Sequence, residues 1–309
     1  MTILIKSATV STATGLEKFR RDAILKGDSG GVRYLFDLPS PAGWPGQTGP
    51  VDGNTIPNLA TTTGLMTLGD GDFDIIAGQS AAFAGGGFSF SGLTAEPANV
   101  QGPANALASI AAAANDYFLV VAYLKFPASG DWNTNAVLAP FFCTTDGVSG
   151  YATPEADLLT IGMANTPGVS ARRQTDGGTT VVGTAITANM SKFYGQVVQV
   201  GYWRNAAGVG LRMKSTVGEE TTTGAVGSNN SGDFSAKRPK WGVPESFNNL
   251  ASLTTHRNTH KTRLYRGWIE DLTISGRTPT TVLDADWTNV QARIAASAAA
   301  NGGTSLIFV

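Results

Sequence analysis

The sequence predicts an all-β protein, a two-sheet antiparallel sandwich with an extended N-terminal arm and a short C-terminal helix. Three observations predict it. Glycine is abundant, 38 residues among 309, with Thr, Ser and Asn throughout, which suits short strands and tight turns. Apolar residues make up 42% and charged residues 15%, enough for a large core. Gly- and Pro-punctuated alternation runs from Thr61 to Arg277, for roughly ten to twelve strands, and no fixed-period repeat accompanies it. The single cysteine, Cys143 in "APFFCTTDG", allows no internal disulfide and reads as a small core residue.

Residues 1–60 differ in texture from the rest and read as an arm. "LEKFRRDAILKG" is a short helix or an amphipathic strand pair, and "GVRYLFDL" is one strand. "PSPAGWPGQTGPVDGNTIPNL" is so rich in Pro and Gly that it is expected to be extended, with Trp44, Pro45 and Pro50 as the docking elements. Trp44 plugs either into its own domain or into a partner.

Residues 61–309 then carry the sandwich. "FDIIAGQ" and "GGGFSFSGL" are short strands, and the alanine-rich Ala104–Asp116 has helical character. "YFLVVAYLKFP" is an unbroken apolar run, the mark of a strand buried on both faces. "DWNTNAVLAPFFCTT", "DLLTIGMAN" and "GVSARRQT" follow as strands. Gly195–Gly218 is a hairpin around "NAAG", with Val197, Gln199, Gly201 and Trp203 on one face and Val198, Val200, Tyr202 and Arg204 on the other. After a long polar region, "RLYRGWIEDLTISGR" reads as a closing strand. A helix over 284–299 begins at an Asp cap and spaces Trp287, Val290 and Ile294 helically. The apolar end "TSLIFV" is tucked away as a final strand or against another subunit.

Several function classes lose ground here. A net charge of −1 without a basic run argues against nucleic-acid binding, and no apolar run reaches the ~20 residues of a membrane span. No secretory signal opens the chain, so synthesis in the cytoplasm is expected. Glu270 and Asp271 are neighbours on a strand and point to opposite faces, so they cannot form a glycosidase acid pair. His256 and His260 lack the Glu a zinc protease motif needs, and the glycine runs lack a following helix. No catalytic residues and no obligatory cofactor are expected. Asp70, Asp72 and Asp74 in "GDGDFD" read either as a polar turn or as Ca²⁺ ligands. Trp132, Trp203, Trp241 and Trp268 read as core residues or as a sugar-stacking platform. Trp132 and Trp241, in loop contexts, are the better ligand candidates, with Trp268 and Glu270 beside them.

The order of pieces in the second half is similar to concanavalin A-like (laminin-G-like) jelly rolls. The strand "QVVQVGYWRNAAG" is answered by "VGLRMKSTVG", then by a long excursion, "YRGWIEDLTISGR" and a short helix; the resemblance spans Ala82 to Ala296. The leading "LFDLPSPAGWPGQTGPVDG" and the Gly/Thr/Ala-rich strands also resemble tailed-bacteriophage virion proteins. Together these resemblances imply a jelly roll displayed on a particle. They imply a virion structural protein, a tail appendage that attaches to host-surface glycan or joins virion parts, or else a head or collar decoration protein. They also imply other virion proteins as partners of the arm, and homo-oligomers, by analogy trimers. An enzyme-accessory module holding Ca²⁺ or glycan is a third reading.

Overall fold

The computed structural model describes residues 22–60, 68–75, 81–93, 98–133, 138–144, 157–175, 181–230, 232, 234, 237–244 and 261–309. Its strands form a two-sheet antiparallel jelly-roll sandwich. Sheet A contains β1 (Val32–Asp37), β4 (Ala82–Ala84), β5 (Gly87–Ser89), β7 (Phe118–Lys125), β12 (Val197–Asn205), β13 (Gly208–Lys214), β14 (Glu219–Gly224) and β16 (Arg263–Asp271). Its order is β14-β13-β12-β7-β16-β5-β4, and β1 lies beside the second half of β16, beyond the two residues that pair with β5. Sheet B contains β2 (Thr55–Ile56), β3 (Gly71–Ile75), β6 (Ala98–Gln101), β8 (Ala139–Cys143), β9 (Thr160–Ala164), β10 (Gly168–Gln174), β11 (Val181–Ile186) and β15 (Lys240–Val243), in the order β11-β10-β9-β8-β15-β6-β3-β2.

Between the sheets lies one apolar core. Phe118, Val120, Ala122 and Leu124 of β7 face Ile161, Met163, Val169 and Ala171 of sheet B, with Phe73, Phe88 and Trp241 among them. The other face of β7 is buried as well, as its unbroken apolar run predicts. Leu119, Val121 and Tyr123 join Trp203, Trp268, Leu283 and Val290 in a second apolar layer. That layer is closed by a helix over Pro279–Ala300. Helix and sheet approach closely because Gly201 has no side chain: a Cβ there would stand 2.6 Å from Leu283 Cδ2. The hairpin divides as its alternation predicts, with Val198, Val200 and Tyr202 inward and Val197 and Trp203 under the helix.

Several expectations are corrected. The helix begins at Pro279, not at residue 284, because proline fits the first helical turn, where its missing N–H costs nothing. Asp284 is no cap; it lies inside the helix, 2.9 Å from Arg212 and 3.0 Å from Lys214. The alanine-rich stretch is helical only over Ala108–Ala112. The supposed arm, from Val32 on, is part of the sandwich: β1 pairs with β16 from Val32↔Glu270 to Asp37↔Arg266, and β2 pairs with β3. Trp44 is 5% exposed, stacks edge-on against Phe88 and donates to the Thr48 carbonyl; Pro50 is buried and Pro45 exposed. Trp44 therefore plugs into its own domain, the first of the two alternatives its sequence context leaves open. Residues 1–21 lie outside the described residues. The apolar "TSLIFV" adds no strand; Phe308 packs on Tyr123 and Tyr265 of the same chain.

Candidate functional site

The residues picked out as ligand contacts prove to be structural. Trp132 is 4% exposed, donates to the Ala164 carbonyl at 2.8 Å and packs against Phe126 and Tyr194. Trp241 is fully buried on β15 among Tyr34, Phe36 and Phe142, with its indole N–H on the Val121 carbonyl at 3.0 Å. Trp268 is also fully buried, donating to Asp286 at 3.1 Å beneath the helix. A ring enclosed on both faces offers nothing to a sugar. Glu270 is buried and held by Arg277 at 2.7 and 2.6 Å, while Asp271 caps the one-turn helix Leu272–Ser275 through the N–H groups of Thr273 and Ile274. Neither carboxylate meets a groove.

A buried polar layer runs beneath the long helix. Arg266, with no exposed surface, lies 2.7 Å from Asp22, 2.9 Å from Asp286 and 3.8 Å from Asp37, and Arg293 reaches Asp37 at 2.7 Å. Burial alone would raise the Asp22 carboxyl, but the Arg266 charge and its hydrogen bonds hold it below the ordinary value. For Asp37 burial wins, and its carboxyl is raised despite both arginines. A cleft of about 200 Å³ opens beside this layer, lined by Ile24, Lys26, Arg277, Thr281, Val282 and Asp286. Its polar groups are already engaged: Arg277 also donates to the Ile24 carbonyl, and Asp286 serves Arg266 and Trp268. This face of the sandwich is closed by its own chain.

Sheet B presents a different outer face. Because Phe73, Val100, Trp241, Phe142, Ile161 and Ala171 point into the core, their strand neighbours point outward. The cross-strand register aligns those neighbours in one row: Asp72, Gln101, Lys240, Cys143, Thr160, Arg172 and Gly183. At 4.7–4.9 Å per strand, the row covers about 24 Å from Asp72 to Arg172. A second row begins with Asp74, Asn99 and Gly242. The middle of the first row is covered, with Lys240 at 6% exposure and Cys143 and Thr160 at 0%, while Asp72, Gln101 and Arg172 remain partly open. The partly open side chains of this row are thus a carboxylate, an amide and a cation, groups able to meet the polar atoms of a ligand.

The acidic turn is divided by this arrangement. Asp72 and Asp74 share the outer face, but Asp70 precedes the strand and accepts from the Asn58 N–H at 2.8 Å. Asp72 is paired with Arg238 at 2.6 Å. Burial raises the Asp74 carboxyl, which the Lys240 charge and an Asn99 hydrogen bond only partly offset. Among the described residues no group of three or more His, Cys, Asp or Glu is placed to hold a metal ion, so the three aspartates do not converge as Ca²⁺ ligands. His256 and His260 lie outside the described residues. Sequence reasoning missed Asn99, Gln101, Lys240 and Arg172 as a group, because "ANVQ" and "KWGV" are too short to declare themselves strands. The row exists only once the register is known.

No protein-family model matches the chain, and no curated protein is similar to it in sequence. Solved structures do show similar architecture. The receptor-binding domain of botulinum neurotoxin type G matches with a TM-score of 0.41 at 8% identity over 71% of this chain, which spans 46% of that domain. The CBM2 module of the evolved Dit of Lactobacillus casei BL23 phage J-1 matches with a TM-score of 0.37 at 12% identity, covering 77% of this chain and 94% of the module. An endo-β-1,4-glucuronan lyase from the fungus Trichoderma reesei matches with a TM-score of 0.36 at 12% identity, over 65% of this chain and 87% of the enzyme. The fold assignment stands on the strand pairing of the chain itself, and similarity at this level carries neither partner nor activity across.

Proposed function

We propose that this chain is a non-catalytic bacteriophage virion protein, a tail-associated appendage whose sandwich attaches to host-surface glycan. One observation carries the reading: the outer face of sheet A is taken up by its own chain, while that of sheet B keeps polar side chains partly open toward the ends of a row. The long helix covers sheet A over an apolar layer and the ion pairs of Arg266 with Asp22, Asp37 and Asp286. Sheet B aligns hydrogen-bonding and charged side chains across strands, with both ends of the row open. A polar row on a rigid sheet is pre-organised for hydroxyl-rich ligands, because its side chains are spaced before the ligand arrives. The resemblance of the strand order to lectin-like jelly rolls supports the same reading. The acids of the last sheet A strand are locked in structural pairs, which leaves a binding role as the economical one.

Gold-labelled antibody imaging of particles from the source lysate tests the placement. Label on the tail or its fibres is the expected result. Label over the head or collar would favour decoration of the shell, and particles without label would sink the virion reading. Binding of the purified chain to host cells, lost on removal of surface polysaccharide, tests the attachment half.

A further inference from the structure

We propose that the β10–β11 end of the polar face is a subsite for an oxyanion-bearing sugar, with Arg172 as the recognising cation. The inference rests on sheet B being the glycan-binding face and adds the chemical class of the ligand. Every other described arginine is engaged. Arg33 reaches the Gly30 carbonyl, Arg173 the carbonyls of Val226 and Ser228, and Arg204 Asp116. Arg212 holds Asp284, Arg238 Asp72, Arg263 the Val309 backbone oxygen, Arg266 Asp22, Arg277 Glu270 and Arg293 Asp37. Arg172 stands partly exposed with no described partner.

Its surroundings are built for a ligand more than for packing. The residues opposite it are Thr160 and Gly183; the next outward positions on one side are Ser170, Gly162 and Ala185, all small, and on the other the buried Gln174 and the half-buried Val181. A Cβ on Gly183 would meet nothing within 4 Å, so the guanidinium stands beside an open shelf at the sheet edge. The nearby carboxylate is not a competitor. Asp157 is 1% exposed and is taken up by the hydroxyls of Thr144 and Thr160 and by the Leu159 N–H. A planar guanidinium with free donors over a shallow shelf matches a carboxylate or a phosphate, which it can bind through two parallel hydrogen bonds. A neutral sugar would leave that charge unanswered.

The test uses the full chain, titrated at low salt against polygalacturonate, a phosphomannan and neutral dextran, with host-cell binding measured in parallel. The expected result is tighter binding to one or both acidic polymers than to dextran, weakened by added salt. Arg172→Ala should weaken it roughly ten- to hundredfold, the loss of one charge-assisted contact. Gly183→Trp, at an exposed position where a Cβ would meet nothing within 4 Å, should fill the shelf and weaken binding, with thermal unfolding of the variant checking that the fold is kept. Polyuronate against phosphomannan separates the two sources of oxyanion. Dextran bound as tightly as the acidic polymers, or Arg172→Ala binding like the parent, would overturn the subsite and leave the glycan-binding reading standing. Failure to bind any polymer or any host cell would remove both.

Discussion

At Arg266, completely buried between Asp22, Asp37 and Asp286, one substitution would leave three carboxylates under the helix with Arg293 as the remaining nearby cation. Removing one partner of a buried ionic group costs about 3–5 kcal/mol, so Arg266→Leu should lower the urea-unfolding free energy by that order. An unchanged midpoint would show that the layer is hydrated and weak. Asp22 adds a pH signature. Its folded carboxyl lies below its unfolded value of 3.8, so its contribution is fully present above that value and is lost as pH falls through the lowered folded value. The stability gap between the parent and Asp22→Asn should therefore be widest near neutrality and close in acid. Asp37 runs the other way, since a raised carboxyl makes its ionised form a cost that protonation relieves. Neither pairing was legible in the sequence. "LYRGWIEDL" alternates like any strand, and only the fold brings Asp22 to it from 244 positions away.

Individual elements were more legible than their partners. β7, β16 and the β12–β13 hairpin were readable because length, apolar content and turn residues agree there. β6 and β15 were not, being four-residue strands whose pairing is set by neighbours distant in sequence. The Pro-rich stretch misled for a related reason. Proline excludes a regular ladder but not burial, and Trp44 and Pro50 fill the core from an irregular path. The seat of the long helix offers a direct check. Gly201→Val would press a branched side chain into Leu283, and overpacking of this kind costs about 1–3 kcal/mol. Leu283→Ala in the same chain should recover part of that loss, measured as a double-mutant cycle by denaturant unfolding. Additive losses would place the helix farther from the sheet than the contact implies.

For the molecule as a whole, the sandwich and its helical layer share strands, so they should melt together. β7 contributes one face to each apolar layer, and β1 pairs with β16 over the same helix. Calorimetric and van't Hoff enthalpies should agree in a single transition. Deleting residues 1–60 should abolish cooperative melting by circular dichroism, because it strips β1 and β2 from the two sheets and Trp44 from the core. A truncated chain that melted normally would restore the reading of those residues as a separable arm. The two-sheet class was visible from composition and alternation. The polar row was not, because it is written across seven strands instead of along one.

The place of β16 in sheet A also governs how the protein is made. It is flanked by β7 on one side and by β1 and β5 on the other, yet all three precede it by long stretches of chain. While the polypeptide is emerging from the ribosome, those earlier strands lack their central partner, and the edges that β16 will fill stay unpaired. Closure must await the last-made strand, and such distant pairings form slowly. Yield of soluble protein should therefore respond to growth temperature and chaperone supply more than the stability of the finished fold would indicate.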